Sequence, residues 1–97
     1  MLKVVLAPTY IRDVKKLRRN HANIQPLLEV THLVATDTVV SKAILKQRHK
    51  AHALQGKQYS GAYECHVANA GDWLLVWRRL PDAVVLLRTG KHDQVFQ

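Results

Sequence analysis

The chain has 97 residues, 47% of them hydrophobic, which suits one domain (residues 1–97) burying roughly two-thirds of its unfolded surface. Fifteen Lys and Arg against seven Asp and Glu leave a net charge of +8, and the pI of about 10.1 favours a polyanionic partner: nucleic acid, an anionic membrane or an acidic protein. A single cysteine excludes an internal disulfide and a multi-thiolate zinc site, no apolar run approaches the ~20 residues of a membrane span, and no signal peptide is evident, so a cytoplasmic protein is expected.

Lys3–Leu6 (KVVL) is a β-branched run that predicts a strand, ended by Ala7 and Pro8. Residues 9–21 switch to helical spacing: Tyr10, Ile11, Val14 and Leu17 share one face, and Arg12, Lys15, Lys16, Arg18 and Arg19 lie mostly on the other. The basic run at 15–19 is read two ways, as a solvated helix face or as an edge that contacts RNA phosphates. After a polar break a second helix is expected from Ile24 into the region of Ala35, with Pro26 in its first turn and Ile24, Leu27, Leu28 and Val34 as its buried stripe. Asp37 is the expected cap of a short third helix burying Val40, Ala43 and Ile44. Residues 46–50 then form a basic connector into AHALQG, and Gly56 and Gly61 bracket a turn.

Residues 61–96 organise the chain as three consecutive antiparallel strands and a short tail. Strand period two places Ala62, Glu64 and His66 on one face, and Tyr63, Cys65 and Val67 on the other. The turn ANAG leads into DWLLVWRRL, where Trp73, Leu75 and Trp77 oppose Leu74, Val76 and Leu80. Both sides are apolar, as in a central strand covered on each face. Pro81 and Asp82 make a turn, AVVLLR is the third strand, and Thr89-Gly90 stops it. One helical turn in KHDQVFQ would set His92 beside Phe96. The expected fold is α+β: an antiparallel sheet of the N-terminal strand plus three C-terminal strands, with two or three helices packed on one face.

Glu64, His66, Asp72, Arg88 and His92 stand at strand rims and can carry proton or phosphate chemistry, and His52 lies on the approach to them. Cys65 reads as a small buried hydrophobe rather than a nucleophile. His21, His32 and His49 read as ordinary surface or helix residues. A zinc site from His52, His66 and His92 is conceivable, but these three form none of the usual short-range ligand pairs, so no metal is expected.

The string GAYECHV, followed by DWLLVW and LLRTGKHDQVF, resembles the C-terminal half of YafQ-type toxins in the RelE/ParE superfamily, the toxins of bacterial type II toxin–antitoxin pairs. The resemblance is close over residues 51–96; the N-terminal half suits the family's β-α-α order without a distinctive motif. It implies a RelE/ParE-like fold and ribosome-dependent cleavage of messenger RNA without metal or cofactor. In that reaction the RNA's 2′-hydroxyl attacks the adjacent phosphorus. A base is needed at the 2′-oxygen, an acid at the leaving 5′-oxygen, and a cation at the charged phosphorane.

By position, the resemblance makes His52 a general base or its partner, Glu64 a base or the group that orients His66, and His66 the strand histidine. Asp72 tunes or orients an imidazole, Arg88 stabilises the phosphate, His92 is the preferred general acid, and Phe96 stacks on a base. Lys15, Lys16, Arg18, Arg19 and Lys91 are the candidate RNA-binding cations. Three departures stand out. Five residues separate His66 from Asp72 where the family more commonly has three, Ala51 replaces an Asp beside the first histidine, and VVSKAILKQRHK replaces a shorter connector. The implied partners are a cognate antitoxin and messenger RNA on the ribosome with contacts to ribosomal RNA; no membrane is implied, and DNA only through the antitoxin. Two alternatives remain open: a ParE-like toxin acting on a topoisomerase, and a non-enzymatic basic RNA- or ribosome-binding module.

Overall fold

The sheet is built outward from β4 (Trp73–Arg79), in which Leu74, Leu75, Val76 and Trp77 are consecutive and all buried. Such a run requires cover on both faces. The computed structural model describes residues 1–68 and 71–96, so the middle of the turn expected at 68–71, and Gln97, lie outside the described residues. β3 (Ala62–His66) and β5 (Ala83–Lys91) flank β4 in antiparallel register. Two edge strands complete the order β1-β5-β4-β3-β2: β1 (Lys3–Leu6) on β5, and the two-residue β2 (His52–Ala53) on β3.

The sheet differs from the antiparallel expectation in two ways. β1 runs parallel to β5, and β2 is a fifth strand. Short connections impose antiparallel order only on β3, β4 and β5. No hairpin links β1 to β5, so its direction follows from how the next helix packs. β5 also continues through Thr89 and Gly90 as far as Lys91, which pairs with Trp73. Thr89 Oγ1 secures that extension, accepting from Trp73 Nε1 at 2.9 Å and donating to the Leu74 carbonyl at 2.8 Å.

α1 (Pro8–Arg19) lies along β5, taking over its edge where β1 ends: Ala7 N donates to Leu86 O at 3.0 Å and Thr9 Oγ1 to Leu87 O at 2.7 Å. Tyr10 is buried and Ile11 is exposed. In α2 (Gln25–Thr36) Pro26 occupies the first turn as expected. Its buried stripe is Leu27, Val30, Val34 and Ala35, while Leu28 faces outward. α3 (Val39–His49) is longer than expected and includes most of the supposed connector. Thr38 and Ser41 cap it reciprocally, one residue beyond Asp37, which instead closes α2 in the left-handed region at φ 55°. Starting the helix there turns Val40 to solvent and buries Ser41 and Leu45.

The large core lies between these helices and one face of the sheet, joining Tyr10, Leu27, Val30, Val34 and Leu45 to Cys65, Leu75, Trp77, Val84 and Leu86. Each fully buried Leu or Val in it stabilises the fold by about 1.5–3 kcal/mol. The opposite face carries a smaller cluster of Ala62, Val76 and Val95, flanked by Leu54, Tyr59, Leu87 and Phe96. Val95 comes from α4 (His92–Val95), a single turn. Leu80 sits in the β4–β5 turn and is exposed, not part of either cluster.

Candidate active site

His52, Glu64, Val76 and Arg88 are register partners across β2, β3, β4 and β5. Directly opposed residues share a face, so they form one line across the sheet, away from the large core. The adjacent line holds His66, Leu74 and Gly90. Lys91 and His92 follow Gly90 directly, so His92 lies just past the end of the line that holds His66.

At the β2 end, His52 Nε2 lies 2.9 Å from Glu64 Oε1, and His52 Nδ1 lies 2.9 Å from the Lys50 carbonyl. Lys50 adopts the left-handed conformation, φ 53°, as it closes α3. That turn brings its carbonyl to the ring and supplies an orienting acceptor that Ala51 cannot provide. The Lys50 carbonyl can only accept, so Nδ1 donates to it, and Nε2 shares the hydrogen bond with the Glu64 carboxyl. Glu64 is nearly buried, and its Oε2 has no hydrogen-bond partner among the described residues. A buried carboxylate oxygen in that condition is an acceptor awaiting a donor.

His66 is half-buried at the end of β3, and its backbone carbonyl is 2.7 Å from His49 Nδ1. At the other end of the line, Arg88 reaches α1. Its Nε donates to Asp13 Oδ2 at 2.7 Å, and its Nη2 donates to Asp13 Oδ1 at 3.3 Å and to the Gln94 carbonyl at 3.2 Å. Asp13 Oδ2 also accepts from Thr89 N at 3.1 Å. The hydrogen bond to Asp13 raises the Arg88 pKa above its ordinary value, so the guanidinium stays charged.

Beside Arg88 is a hollow of about 840 Å³ whose lining includes Arg12, Lys16, Asp72, Arg88, Lys91 and Gln94. Asp72 is exposed and precedes β4, so the longer spacing from His66 leaves it in the same hollow as Arg88. His52, Glu64, His66 and His92 are outside that lining. His92 is exposed at the start of α4 with its ring centroid 4.9 Å from that of Phe96. Phe96 packs edge-on against Tyr59 at 5.5 Å, and the Tyr59 hydroxyl donates to the Val95 carbonyl at 3.1 Å.

Of the α1 cations, Lys16 and Arg12 line the hollow, whereas Lys15, Arg18 and Arg19 are exposed outside it. Sequence reasoning missed Asp13, His49, Tyr59 and the Lys50 carbonyl. Asp13 carried a usable signal, because a carboxylate three residues after buried Tyr10 shares its inward side and demands a cation. Cys65 is fully buried, and burial, with a smaller contribution from the Glu64 charge, pushes its thiol up to about 12. It is inert at neutral pH, as expected.

Over residues 2–97 the chain matches the family described as the bacterial toxin of type II toxin–antitoxin system, YafQ. The mRNA interferase toxin YafQ of Escherichia coli is 29% identical over 87 residues, covering 90% of this chain and 87% of that protein. A copper-bound mutant toxin from Helicobacter pylori superposes with a TM-score of 0.83 at 30% identity, covering 99% of this chain and all of that one. The toxin in the Escherichia coli DinJ–YafQ toxin–antitoxin complex superposes with a TM-score of 0.81 at 26% identity, with both chains covered in full. The α+β fold is therefore that of solved YafQ structures, with five strands and four helices among the described residues. With 96 of its residues matched, from 2 to 97, this chain belongs to the YafQ family of bacterial type II toxins.

Proposed function

We propose that this toxin is an endoribonuclease that cuts messenger RNA on the ribosome, using the RNA's own 2′-hydroxyl and no metal. The observation that carries the reading is the line of His52, Glu64 and Arg88 across one sheet face, with His66 on the adjacent line and His92 just past its end at Gly90. The mRNA interferase name of the Escherichia coli relative supports the same class of substrate.

In the proposed step the 2′-oxygen forms a bond to phosphorus while the bond from phosphorus to the 5′-oxygen breaks. The 2′-hydroxyl proton passes to a base drawn from Glu64, His52 and His66. His92 returns a proton to the leaving 5′-oxygen. Arg88, already oriented by Asp13, neutralises the phosphorane, and Asp72, which lines the same hollow, is the proposed orienting carboxylate. Phe96 offers a ring for stacking on a base. Lys16 and Lys91 flank the hollow, and with Lys15, Arg18 and Arg19 they supply the charge that draws in the RNA and contacts ribosomal RNA.

A cognate antitoxin is the second proposed partner, supported by the DinJ–YafQ complex and by a charge of +8 suited to an acidic binding segment. Operator DNA is contacted only through it, and the toxin acts in the cytoplasm; among the described residues no helix is long and apolar enough to cross a membrane. The test is expression of the chain and of His92→Ala, with 5′ ends mapped on translated messages. Wild-type toxin should arrest growth with cut messages, and the variant should leave both intact. Arrest by the variant with uncut messages would reject the nuclease reading in favour of a topoisomerase poison or a passive RNA-binding module.

A further inference from the structure

We propose that His49 is a positioning residue for His66, an inference that rests on the reading of His66 as part of the cleavage site. β3 ends at His66, but β2 is only two residues long and pairs no further than Glu64. The strand position that would face His66 is taken by the end of α3 and the left-handed Lys50, so among the described residues no strand partner reaches the His66 carbonyl from that side. His49 Nδ1 lies 2.7 Å from that carbonyl. A carbonyl oxygen can only accept, so Nδ1 carries the proton and the ring's tautomer or charge state is constrained.

The contact is one half of a clamp. Three residues on, in β2, His52 engages the Glu64 carboxylate at 2.9 Å, so imidazoles from the end of α3 and from β2 hold the His66 backbone and the Glu64 side chain of β3. Packing alone does not explain His49. The ring is half-buried, and it lines an open hollow of about 450 Å³ between α2 and α3 together with Glu29, His32 and Arg48. Its directional contact is the bond to β3. A strand end released there shifts the His66 imidazole, and a displacement near 1 Å at a reacting group can cost about a hundredfold in rate.

The experiment measures cleavage of a translated message by purified toxin, comparing His49→Leu, His49→Asn and His49→Asp. The Asn amide places an N–H where Nδ1 stands; Asp has the same shape and no hydrogen to give. His49→Leu and His49→Asp should lower kcat by about 10–100-fold with little change in KM, and His49→Asn should recover most of it. Should His49→Leu fail to fold, as thermal melting would show, the Asn and Asp pair decides alone. In a His66→Ala background, His49→Leu should have no further effect. If His66→Ala is inactive while all three His49 variants cleave like wild type, the positioning role is wrong and the site reading survives. If His66→Ala itself cleaves normally, the site reading falls and takes this inference with it.

Discussion

Asp13 and Arg88 are 75 positions apart, yet the carboxylate holds the guanidinium by two hydrogen bonds and takes a third from the backbone of Thr89. This contact decides which way Arg88 points, because β1 ends at Leu6 and leaves the remaining edge of β5 to α1.

Removing the carboxylate should therefore harm both folding and cutting. Asp13→Ala leaves a largely buried guanidinium with the Gln94 carbonyl and the neighbouring Tyr59 but no carboxylate, and should cost about 1.5–3 kcal/mol in denaturant unfolding. Arg88→Lys keeps the charge but loses the fork, and should reduce cleavage by about 10²–10³-fold while costing less stability. Equal losses of stability and rate in both variants would contradict this division.

Gly90 adopts φ +146°, and a Cβ there would lie 3.1 Å from Gln94 Oε1 and 3.8 Å from Val95 Cγ2. Gln94 Oε1 accepts from Lys91 N, so the added methyl group disturbs the start of α4 as well as straining the backbone. Gly90→Ala should destabilise by about 1–3 kcal/mol and displace His92, lowering cleavage at a temperature where the variant is still folded.

The Cys65 thiol, raised from 9.0 to about 12, predicts a loss of stability at high pH. Above pH 9 the unfolded chain releases this proton and the folded chain does not, so stability is complete below that value and declines as pH approaches 12. Burial also raises the Tyr10 pKa, which acts in the same direction. Cys65→Ala should flatten part of the decline in urea unfolding between pH 9 and 11, and the native thiol should resist alkylation at pH 8.

Lys15 and Lys16 are neighbours with different surroundings, since Lys16 lines the hollow beside Arg88 and Lys15 does not. Lys16→Glu should weaken binding of a cleavage-resistant single-stranded RNA more than Lys15→Glu. Loss of the proposed Lys16 phosphate contact should also reduce the slope of log affinity against log salt by roughly 0.7, the change expected per phosphate on a single strand. Filter binding across a salt series distinguishes them; equal effects would mean that the helix acts only through its overall charge.

Much of the fold was legible in the residues. The alternation through Glu64 and His66, the two-sided apolar run of Leu74 to Trp77 and the single turn joining His92 to Phe96 are local patterns, and each appears where spacing placed it. The order of motifs from GAYECHV to LLRTGKHDQVF also sufficed to point to the family. The third helix was the weakest reading, because Asp37 and Thr38 are both good caps; the reciprocal Thr38–Ser41 bonds favour the second, and that start buries Leu45 in the core.

Sequence alone thus determined which residues could alternate on a strand, wind on a helix or move a proton. The tertiary structure decided the direction of β1, the partner of Arg88, the acceptor that orients His52 and the donor that meets the His66 carbonyl. Periodicity reports the face a side chain shares with its near neighbours. It carries no information about pairs such as Asp13 and Arg88, whose meeting depends on where a strand stops and which helix covers the edge it leaves.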